Sequence, residues 1–382
     1  MTVWDGLVGQ RALSELLRGA AEGRGMTHAW LFTGPPGSGR SNAAVAFAAA
    51  LQCENAGCRE CPSCRQVLAS SHPDVTRVRT EKPSIGVDDV RELVRRAALA
   101  PVGTRWQVLV VEDADRLTDP ACNALLKAIE EPTDRTVWLL CAPTSEDVLP
   151  TIRSRCRLVA LTTPTAEDVA AFLVRTQGVS DALAAYAARA SQGHIGRARA
   201  LAVDEATRNR RREVVSIPSR LTSLGAAMTA ATNLSETTQE ESAALTGDLD
   251  AREKADLDTA FGVVERGRRP REYAPALSAL ERGQKTRAKR RHLDVVDRGL
   301  MELVSVYRDA VAIGTRASSA LVNEEMRGEI TELARLSTPE DNLRRIDAIF
   351  VAREQMLEFN VPPALALESM MVALRMTDGV RR

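Results

Sequence analysis

The segment that most restricts what this chain can fold into is the glycine-rich run from Thr33 to Ser41. It follows the apolar residues 29–32 and precedes the alanine-rich residues 42–52, and this order predicts a strand, a tight turn and a helix. Glycines allow the backbone to turn its N–H groups towards a phosphate, and the start of the helix presents its positive dipole end to the same point. The pattern is that of a phosphate-binding loop, with eight candidate nucleotide-binding residues: Gly34, Pro35, Pro36, Gly37, Ser38, Gly39, Arg40 and Ser41.

The loop departs from the usual pattern at one position, because Arg40 stands where the pattern has lysine. Arginine keeps the positive charge but carries it on a larger, planar group, so the exchange is not conservative in a tight loop. Two interpretations follow. The loop either binds a nucleotide, or it is an inherited loop that no longer does.

Composition limits the partners that the chain can bind. Its 51 basic and 51 acidic side chains cancel, so any contact with DNA has to be local. Aromatic residues make up only 3% of the chain, which argues against a base-stacking surface. No apolar run is long enough to span a bilayer, and the N-terminus does not resemble an export signal, so we expect a soluble cytoplasmic protein with no membrane partner.

Short strand patterns, most of them apolar, alternate with helical patterns after the loop. The runs at 75–79, 108–111, 137–141 and 157–161 join the first strand in a five-stranded parallel sheet with helices on both faces, which is an α/β fold. From Thr165 onward the strand signals stop. We therefore predict four regions: a nucleotide-binding domain at 1–163, a helical lid at 164–204, a helical and partly flexible connection at 205–290, and an all-α domain at 291–382.

Four cysteines fall within twelve residues after the first helix. Their spacing, C-x4-C-x2-C-x2-C, lets four thiolates surround one tetrahedral zinc ion, and disulfides are disfavoured in the cytosol. A zinc ion with four protein ligands is structural. An iron–sulfur cluster and four free thiols are the alternatives. The predicted zinc ligands, in an insertion at 53–64, are Cys53, Cys58, Cys61 and Cys64.

An acidic pair ends the apolar strand at 108–111. At the carboxyl end of a strand that follows a phosphate loop, one acid can hold Mg²⁺ and the next can position an attacking water. The order here is Glu112 and then Asp113, the reverse of the usual order, so ATP–Mg²⁺ binding and hydrolysis are both in question. A solvated loop is the alternative interpretation.

Arginines occur before the last predicted strand and in three basic runs of the helical region. The segment TIRSRC at 151–156 precedes the last strand, where an arginine can reach a phosphate bound by a neighbouring subunit or form a surface salt bridge.

Three basic runs, at 208–212, 266–271 and 285–291, neighbour acidic clusters. We interpret these runs as solvated helix faces rather than as DNA-binding surfaces.

Taken in order, these motifs resemble a known family. The segments that carry the resemblance are LVGQ at 7–10, HAWLFTGPPGSGRS at 28–41, the four cysteines, VLVVEDADRL at 108–117, NALLKAIEEP at 123–132 and TIRSRC at 151–156. They are similar to segments of bacterial clamp-loader subunits, which are AAA+ proteins of DNA polymerase III. The resemblance covers about residues 1–205 and is only general beyond them.

The resemblance implies roles for single residues. It places zinc on a loop of the nucleotide-binding domain, Thr144 at the phosphate-sensing position after the fourth strand, and Arg155 as an arginine finger that acts in trans. Gly196 stands where hydrolysing members have an arginine in the lid, with Arg197 displaced by one residue.

Three departures from the hydrolysing members agree with one another. Arg40, the reversed Glu112–Asp113 pair and Gly196 each weaken nucleotide handling. The chain therefore looks most like the delta-prime subunit, which lends an arginine finger and a rigid frame to its neighbours and hydrolyses little or no ATP.

The same resemblance implies partners. A delta-prime-like subunit would belong to a hetero-pentamer with delta and tau/gamma subunits, within a nucleotidyltransferase complex that reaches the sliding clamp and primer-template DNA. The C-terminal bundle resembles the collar through which such subunits associate. Two other functions stay open: an ATP-hydrolysing tau/gamma-type or helicase-loader subunit, and a P-loop nucleotide kinase, because GPPGSG also opens such kinases.

Overall fold

Five parallel strands form one sheet in the computed structural model, which describes residues 2–80, 84–103, 105–263 and 270–376. Their order across the sheet is β2-β3-β4-β1-β5. Thr33 pairs with Ala142 on one side and with Ala160 on the other, so β4, β1 and β5 end at the same edge. The strands are Ala29–Thr33 (β1), Val75–Val78 (β2), Gln107–Val111 (β3), Thr136–Ala142 (β4) and Arg157–Ala160 (β5).

Both faces of the sheet are covered, and its central strands are mostly apolar. Every residue of β1, β3 and β4 is buried. Trp30 and Phe32 belong to the core on one face, where they pack with Phe47, whereas Ala29 and Leu31 belong to the core on the other face. Such continuous burial is characteristic of parallel strands between two helical layers, so the predicted α/β sheet is confirmed.

Polar caps and first-turn prolines begin several helices of this part of the chain. Thr118 accepts the N–H of Ala121, and Thr165 accepts the N–H of Asp168. Short 3-10 turns form at Val3–Gly6 and Ala114–Arg116. The α-helices are Arg11–Ala21 (α1), Arg40–Gln52 (α2), Pro62–Leu68 (α3), Val87–Ala97 (α4), Asp119–Glu130 (α5), Pro150–Arg153 (α6), Ala166–Gln177 (α7), Asp181–Ser191 (α8) and Ile195–Val203 (α9).

The chain divides into two compact units, Met1–Val203 and Asp204–Arg382. The described secondary structure of the second unit is entirely helical, as predicted for the C-terminal region, and includes a 3-10 turn at Glu324–Met326. Its α-helices are Glu205–Val215 (α10), Ile217–Arg220 (α11), Leu224–Ala260 (α12), Tyr273–Gly314 (α13), Arg327–Leu336 (α14), Pro339–Leu357 (α15) and Pro363–Met376 (α16).

The core of the second unit lies between its long helices. Helices α12, α13, α15 and α16 contribute Leu234, Leu300, Tyr307, Ile349 and Met371 to one buried cluster. Residue 290, where we placed the end of the connection, lies inside α13. The regions 205–290 and 291–376 therefore share their longest helix. Within the described ranges, no helix is long and apolar enough to cross a membrane.

Candidate functional site

The phosphate loop leaves β1 at the carboxyl edge of the sheet and runs into the start of α2. Gly34 has a φ of +152°, and a Cβ on it would lie 2.8 Å from the carbonyl oxygen of Leu161, so the loop needs glycine here. Its N–H donates to the carbonyl of Pro143 at 3.0 Å, which ties the loop to the end of β4. Strand order reverses beside β1, and parallel sheets bind ligands at the carboxyl edge next to such a point.

Arg40, the residue in the usual lysine position, turns back into the loop. Its Nη1 donates to the carbonyl oxygen of Gly34 at 2.6 Å. Ser38 is 2% exposed, and among the described residues its hydroxyl has no hydrogen-bond partner. A Cβ on Gly34 would lie 2.8 Å from that hydroxyl, which therefore faces the inside of the loop. The loop keeps a buried donor and a cation, and both suit an anion.

The lid contacts the loop through His194, a residue that the sequence analysis did not single out. A Cβ on Gly37 would lie 2.3 Å from the His194 ring, and the N–H of Ile195 donates to the Gly37 carbonyl at 3.3 Å. The Nδ1 atom of His194 accepts the N–H of Arg197 at 3.2 Å, so the same side chain caps α9. Gly196, which stands where a lid arginine is expected, is exposed.

Glu112 directly follows β3 and is held by an arginine from the neighbouring strand. Arg77 lies in β2, and its Nη2 and Nε atoms are 2.6 and 3.2 Å from Oε1 of Glu112. The Glu112 side chain is 9% exposed and that of Arg77 is 26% exposed. Nη1 of Arg77 donates to the hydroxyl of Ser70 at 2.7 Å. The guanidinium is fixed at both ends, so this ion pair is part of the folded site. Arg77 was not predicted from the sequence.

Two more carboxylates lie beside the loop. Asp113 has the Nε atom of Arg116 at 3.9 Å, the outer limit of an ion pair. Asp115, which was not predicted from the sequence, is exposed. Desolvation by neighbouring atoms raises the pKa of Asp115 and the charge of Asp113 raises it further, while Arg116 and Arg40 act in the opposite direction.

The pKa of the buried Cys141 thiol in β4 is affected by charges from both the loop and the strand end. Burial raises the pKa of its thiol, and Glu112 and Asp113 raise it further, whereas Arg40 and Arg77 lower it. All four charges therefore lie within electrostatic range of one sulfur atom. The structure brings the loop and the acidic strand end together, with arginines among the acids.

Thr144 lies at the same edge of the sheet, just after the end of β4. It is exposed, and its N–H donates to Oδ2 of Asp147 at 2.8 Å. This position beside the loop is compatible with contact to a bound phosphate.

Arg155 lies at the opposite edge. It precedes β5 by two residues, and β5 begins beside Trp30, whereas the phosphate loop follows Thr33 at the other end of β1. Its Nη2 forms an ion pair with Glu130 at 2.5 Å, and its Nη1 donates to the carbonyl of Thr151 at 2.7 Å. The side chain remains 39% exposed. Arg155 is held in place and accessible, but at the edge away from its own phosphate loop.

The four predicted zinc ligands come together, with all four sulfur atoms within 4.8 Å of one another. The sulfur of Cys53 is 3.6 Å from that of Cys58 and 3.8 Å from that of Cys61. Four sulfurs at about 2.3 Å from a tetrahedral zinc ion are about 3.8 Å apart, so this spacing fits the metal. The N–H groups of Cys58, Cys61 and Cys64 each donate to the preceding sulfur at 3.4 Å, as suits thiolates.

Backbone donors also favour ionisation of Cys53. Burial raises the pKa of its thiol, but the N–H groups of Cys58, Gly57 and Asn55 outweigh burial and lower that pKa to about 6. Zinc binds the thiolate form, which Cys53 reaches near neutral pH, whereas burial raises the pKa of the Cys61 and Cys64 thiols.

The cysteine cluster lies far from the nucleotide loop. The two are joined by α2, whose 13 residues span about 18 Å. The N-terminal turn covers the cluster: the indole N–H of Trp4 donates to the carbonyl of Ala56 at 2.9 Å, and the N–H of Val3 donates to that of Gly57 at 3.0 Å. These contacts indicate a structural site.

The basic runs of the second unit are only partly solvated. Arg211 is 5% exposed and pairs with Glu302 at 3.0 Å. Arg287 is 7% exposed and pairs with Asp250 at 2.7 Å. The interpretation of these runs as solvated faces is therefore wrong at both arginines, which hold helices together. Residues 266–269 of the remaining run lie outside the described residues.

Comparison with known proteins agrees with this architecture. The family model described as "DNA polymerase III, delta subunit" matches residues 9–165. The matched residues lie within the N-terminal unit, which is therefore similar to the bacterial clamp-loader subunits. The tau subunit of DNA polymerase III from Bacillus subtilis is 32% identical over 158 residues, which are 40% of this chain and 28% of that protein.

Delta-prime subunits are similar to this chain as well. That of Pseudomonas aeruginosa is 38% identical over 174 residues, 44% of this chain and 52% of that protein. That of Escherichia coli is 38% identical over 190 residues, 47% of this chain and 55% of that protein. The matched region thus spans about half the length of these delta-prime relatives and about a quarter of the tau subunit.

Proposed function

We propose that this chain is a delta-prime-like subunit of the bacterial DNA polymerase III clamp loader. In this role it helps to load the sliding clamp onto primed DNA, supplies Arg155 to the ATP site of a neighbouring subunit, and hydrolyses little ATP itself. The observation that carries the proposal is the pairing of Glu112 with Arg77. A carboxylate held in a shielded ion pair is not available to activate water or to ligate a metal.

The placement of Arg155 supports the role in trans. An arginine finger has to be accessible to another subunit and held in one conformation. The ion pair with Glu130 fixes the guanidinium, while more than a third of the side chain stays exposed. Glu130 belongs to the segment NALLKAIEEP and Arg155 to TIRSRC, so this one contact joins the two most specific segments of the family resemblance.

The partners of the proposed subunit follow from its role. They are delta and tau/gamma-type subunits in a hetero-pentamer, together with the sliding clamp and primer-template DNA that the assembly contacts. The helical second unit would form the collar, Thr144 would sense phosphate in any nucleotide that the loop holds, and the assembly would work in the cytoplasm.

One observation favours a second candidate, an ATP-hydrolysing subunit of the tau/gamma type: the tau subunit of Bacillus subtilis is among the matching relatives. This alternative requires Arg40 to do the work of lysine. It predicts tight ATP binding and turnover by the isolated chain, both abolished by Arg40→Ala.

ATP turnover by the purified chain, with and without primed DNA, tests the proposal. We expect negligible turnover in both conditions. Mixing the chain with delta and tau/gamma subunits should give a complex that co-elutes in size-exclusion chromatography and hydrolyses ATP. Robust DNA-stimulated turnover by the chain alone, or failure to join the complex, would contradict the proposal.

A further inference from the structure

The ion pair between Arg77 and Glu112 affects whether this site can bind the metal ion that AAA+ sites use. The fold family implies a Mg²⁺ ion held near the phosphate loop and the acidic end of β3. Magnesium takes oxygen ligands at about 2.1 Å in octahedral geometry. Both close contacts of Arg77 fall on Oε1 of Glu112, at 2.6 and 3.2 Å, and that side chain is 9% exposed. A guanidinium therefore stands where a dication would have to approach this oxygen.

The neighbouring acids do not offer a substitute site. Asp113 has Arg116 within 3.9 Å. Asp115 is an exposed side chain on the 3-10 turn that follows Asp113, within electrostatic range of Arg116 and Arg40. Around the loop, three arginines (Arg40, Arg77 and Arg116) stand beside three carboxylates (Glu112, Asp113 and Asp115). The positive charges of these arginines already balance the carboxylates. The residues present therefore do not fit Mg²⁺.

The groups that bind phosphate are nevertheless retained. The start of the 13-residue helix α2 faces the loop, and the loop keeps the glycine conformations that such a turn requires. Inside it, the Ser38 hydroxyl is buried and lacks a partner within the described part of the chain. Arg40 adds a positive charge next to these donors. An anionic polyphosphate is the ligand that this set of groups suits.

We propose that the site binds a nucleoside di- or triphosphate without Mg²⁺, because the Arg77 guanidinium takes the place of the metal on Glu112. The inference rests on the proposed function, since a site of this kind holds a nucleotide as a structural ligand and does not hydrolyse it. Arg77 acts here as a positioning residue: it keeps the carboxylate of Glu112 neutralised and turned away from a cation.

Isothermal titration of the full-length chain with ATP and with ADP tests this inference. Binding is measured in buffer stripped of divalent ions on a chelating resin and again with added Mg²⁺, because a soluble chelator would also remove zinc from the cysteine cluster. We expect at least one of the two nucleotides to bind, with an affinity that changes by less than about twofold between the two conditions. A gain of about tenfold or more with Mg²⁺ would overturn the inference, and so would the absence of binding in both conditions.

Substitution of Arg77 tests directly whether this residue keeps Mg²⁺ from Glu112. Arg77→Ala frees the Glu112 carboxylate, so nucleotide affinity should become dependent on Mg²⁺, and Mn²⁺ should bind in the presence of nucleotide, as seen by electron paramagnetic resonance. Arg77→Gln, which keeps more of the side-chain volume, serves if the alanine variant does not fold by circular dichroism. The matched control is Arg79→Ala, an exposed arginine two residues further on, which should behave like the unsubstituted chain.

The outcomes separate this inference from the proposed function. If Arg77→Ala and Arg77→Gln still bind nucleotide independently of metal, Arg77 is not the group that excludes Mg²⁺. If the unsubstituted chain binds Mg²⁺–ATP tightly but does not turn it over, the metal-free site is refuted while the clamp-loader role stands. Turnover by the isolated chain would refute the role itself.

Discussion

The buried arginine of α10 allows a quantitative test of how the second unit is held together. Arg211 donates from Nε to Glu302 at 3.0 Å and from Nη1 to Glu325 at 2.6 Å, and its Nη2 donates to Asn323. The exposed fractions of the side chains are 3% for Arg211, 5% for Glu302 and 33% for Glu325. Arg211→Ala leaves the Glu302 carboxylate in the interior without this cation.

Breaking a buried ion pair by removing one partner destabilises a protein by about 3–5 kcal/mol. For a unit of this size, such a loss lowers the melting temperature by about 6–20 °C. The double variant Arg211→Met, Glu302→Leu should recover part of that stability, because it leaves neither member of this pair charged in the interior. Arg212→Ala is the control: its side chain is exposed and donates to Asn209 at 3.2 Å, and the change should stay within about 0.5 kcal/mol.

The tryptophans let the two units be followed separately. All four lie in the first unit, at positions 4, 30, 106 and 138. Urea or thermal unfolding of Arg211→Ala should therefore shift the far-UV circular dichroism transition of the helical second unit, with a smaller change in tryptophan fluorescence. Equal stability of the Arg211→Ala and Arg212→Ala variants would refute the reasoning, since it would mean that the buried pair contributes nothing.

Three further predictions concern the first unit. Metal analysis should find one zinc per chain from the four-cysteine cluster, and Cys61→Ser should lower the zinc content and the thermal stability; a zinc-free, fully folded chain would contradict the site. Arg40→Lys restores the usual loop residue but should leave ATP turnover by the isolated chain negligible, because the acid after β3 stays paired; a large gain in turnover would show that Arg40 alone blocks hydrolysis. Gly37→Ala should loosen the lid and speed hydrogen exchange in α9, because the new Cβ would lie 2.3 Å from His194. Gly178→Ala, also at positive φ but with nothing within 4 Å of the added Cβ, should leave α9 exchange unchanged, so equal exchange in both variants would refute the contact.

The central strands of the sheet were predictable because β1, β3 and β4 each contain a short apolar run. The run predicted at 108–111 is observed at Gln107–Val111, and the run predicted at 137–141 at Thr136–Ala142. Where a strand is buried on both faces, hydrophobicity alone locates it. The cysteine spacing likewise predicted the cluster, because ligands so close along the chain need little help from the rest of the fold.

The ion pair between Arg77 and Glu112 could not be read from either motif. It joins residues 35 positions apart, and it depends on β2 lying beside β3 in parallel register. One signal was present: a charged residue in the middle of a predicted strand needs a partner if that strand is covered. Without the strand order, the partner could not be chosen.

The buried arginines of the second unit were missed for a different reason. A run of basic residues is usually solvated, but single residues of such a run can still face the protein interior. Arg211 lies one helical turn before the buried Val215, so the two share a face of α10. This periodicity was available in the sequence, but the acids that pair with Arg211 come from α13 and from the 3-10 turn Glu324–Met326, about a hundred residues later.

The most direct test of the account is the ATP turnover of an assembled clamp loader that carries Arg155→Ala in this chain. Arg153→Ala is a matched control, because the two side chains are 39% and 40% exposed and lie two residues apart. We predict that Arg155→Ala lowers turnover at the receiving site by about a thousandfold or more while the complex still forms, and that Arg153→Ala leaves turnover unchanged. Unchanged turnover with Arg155→Ala would contradict the central claim that this residue acts on the ATP of a neighbouring subunit.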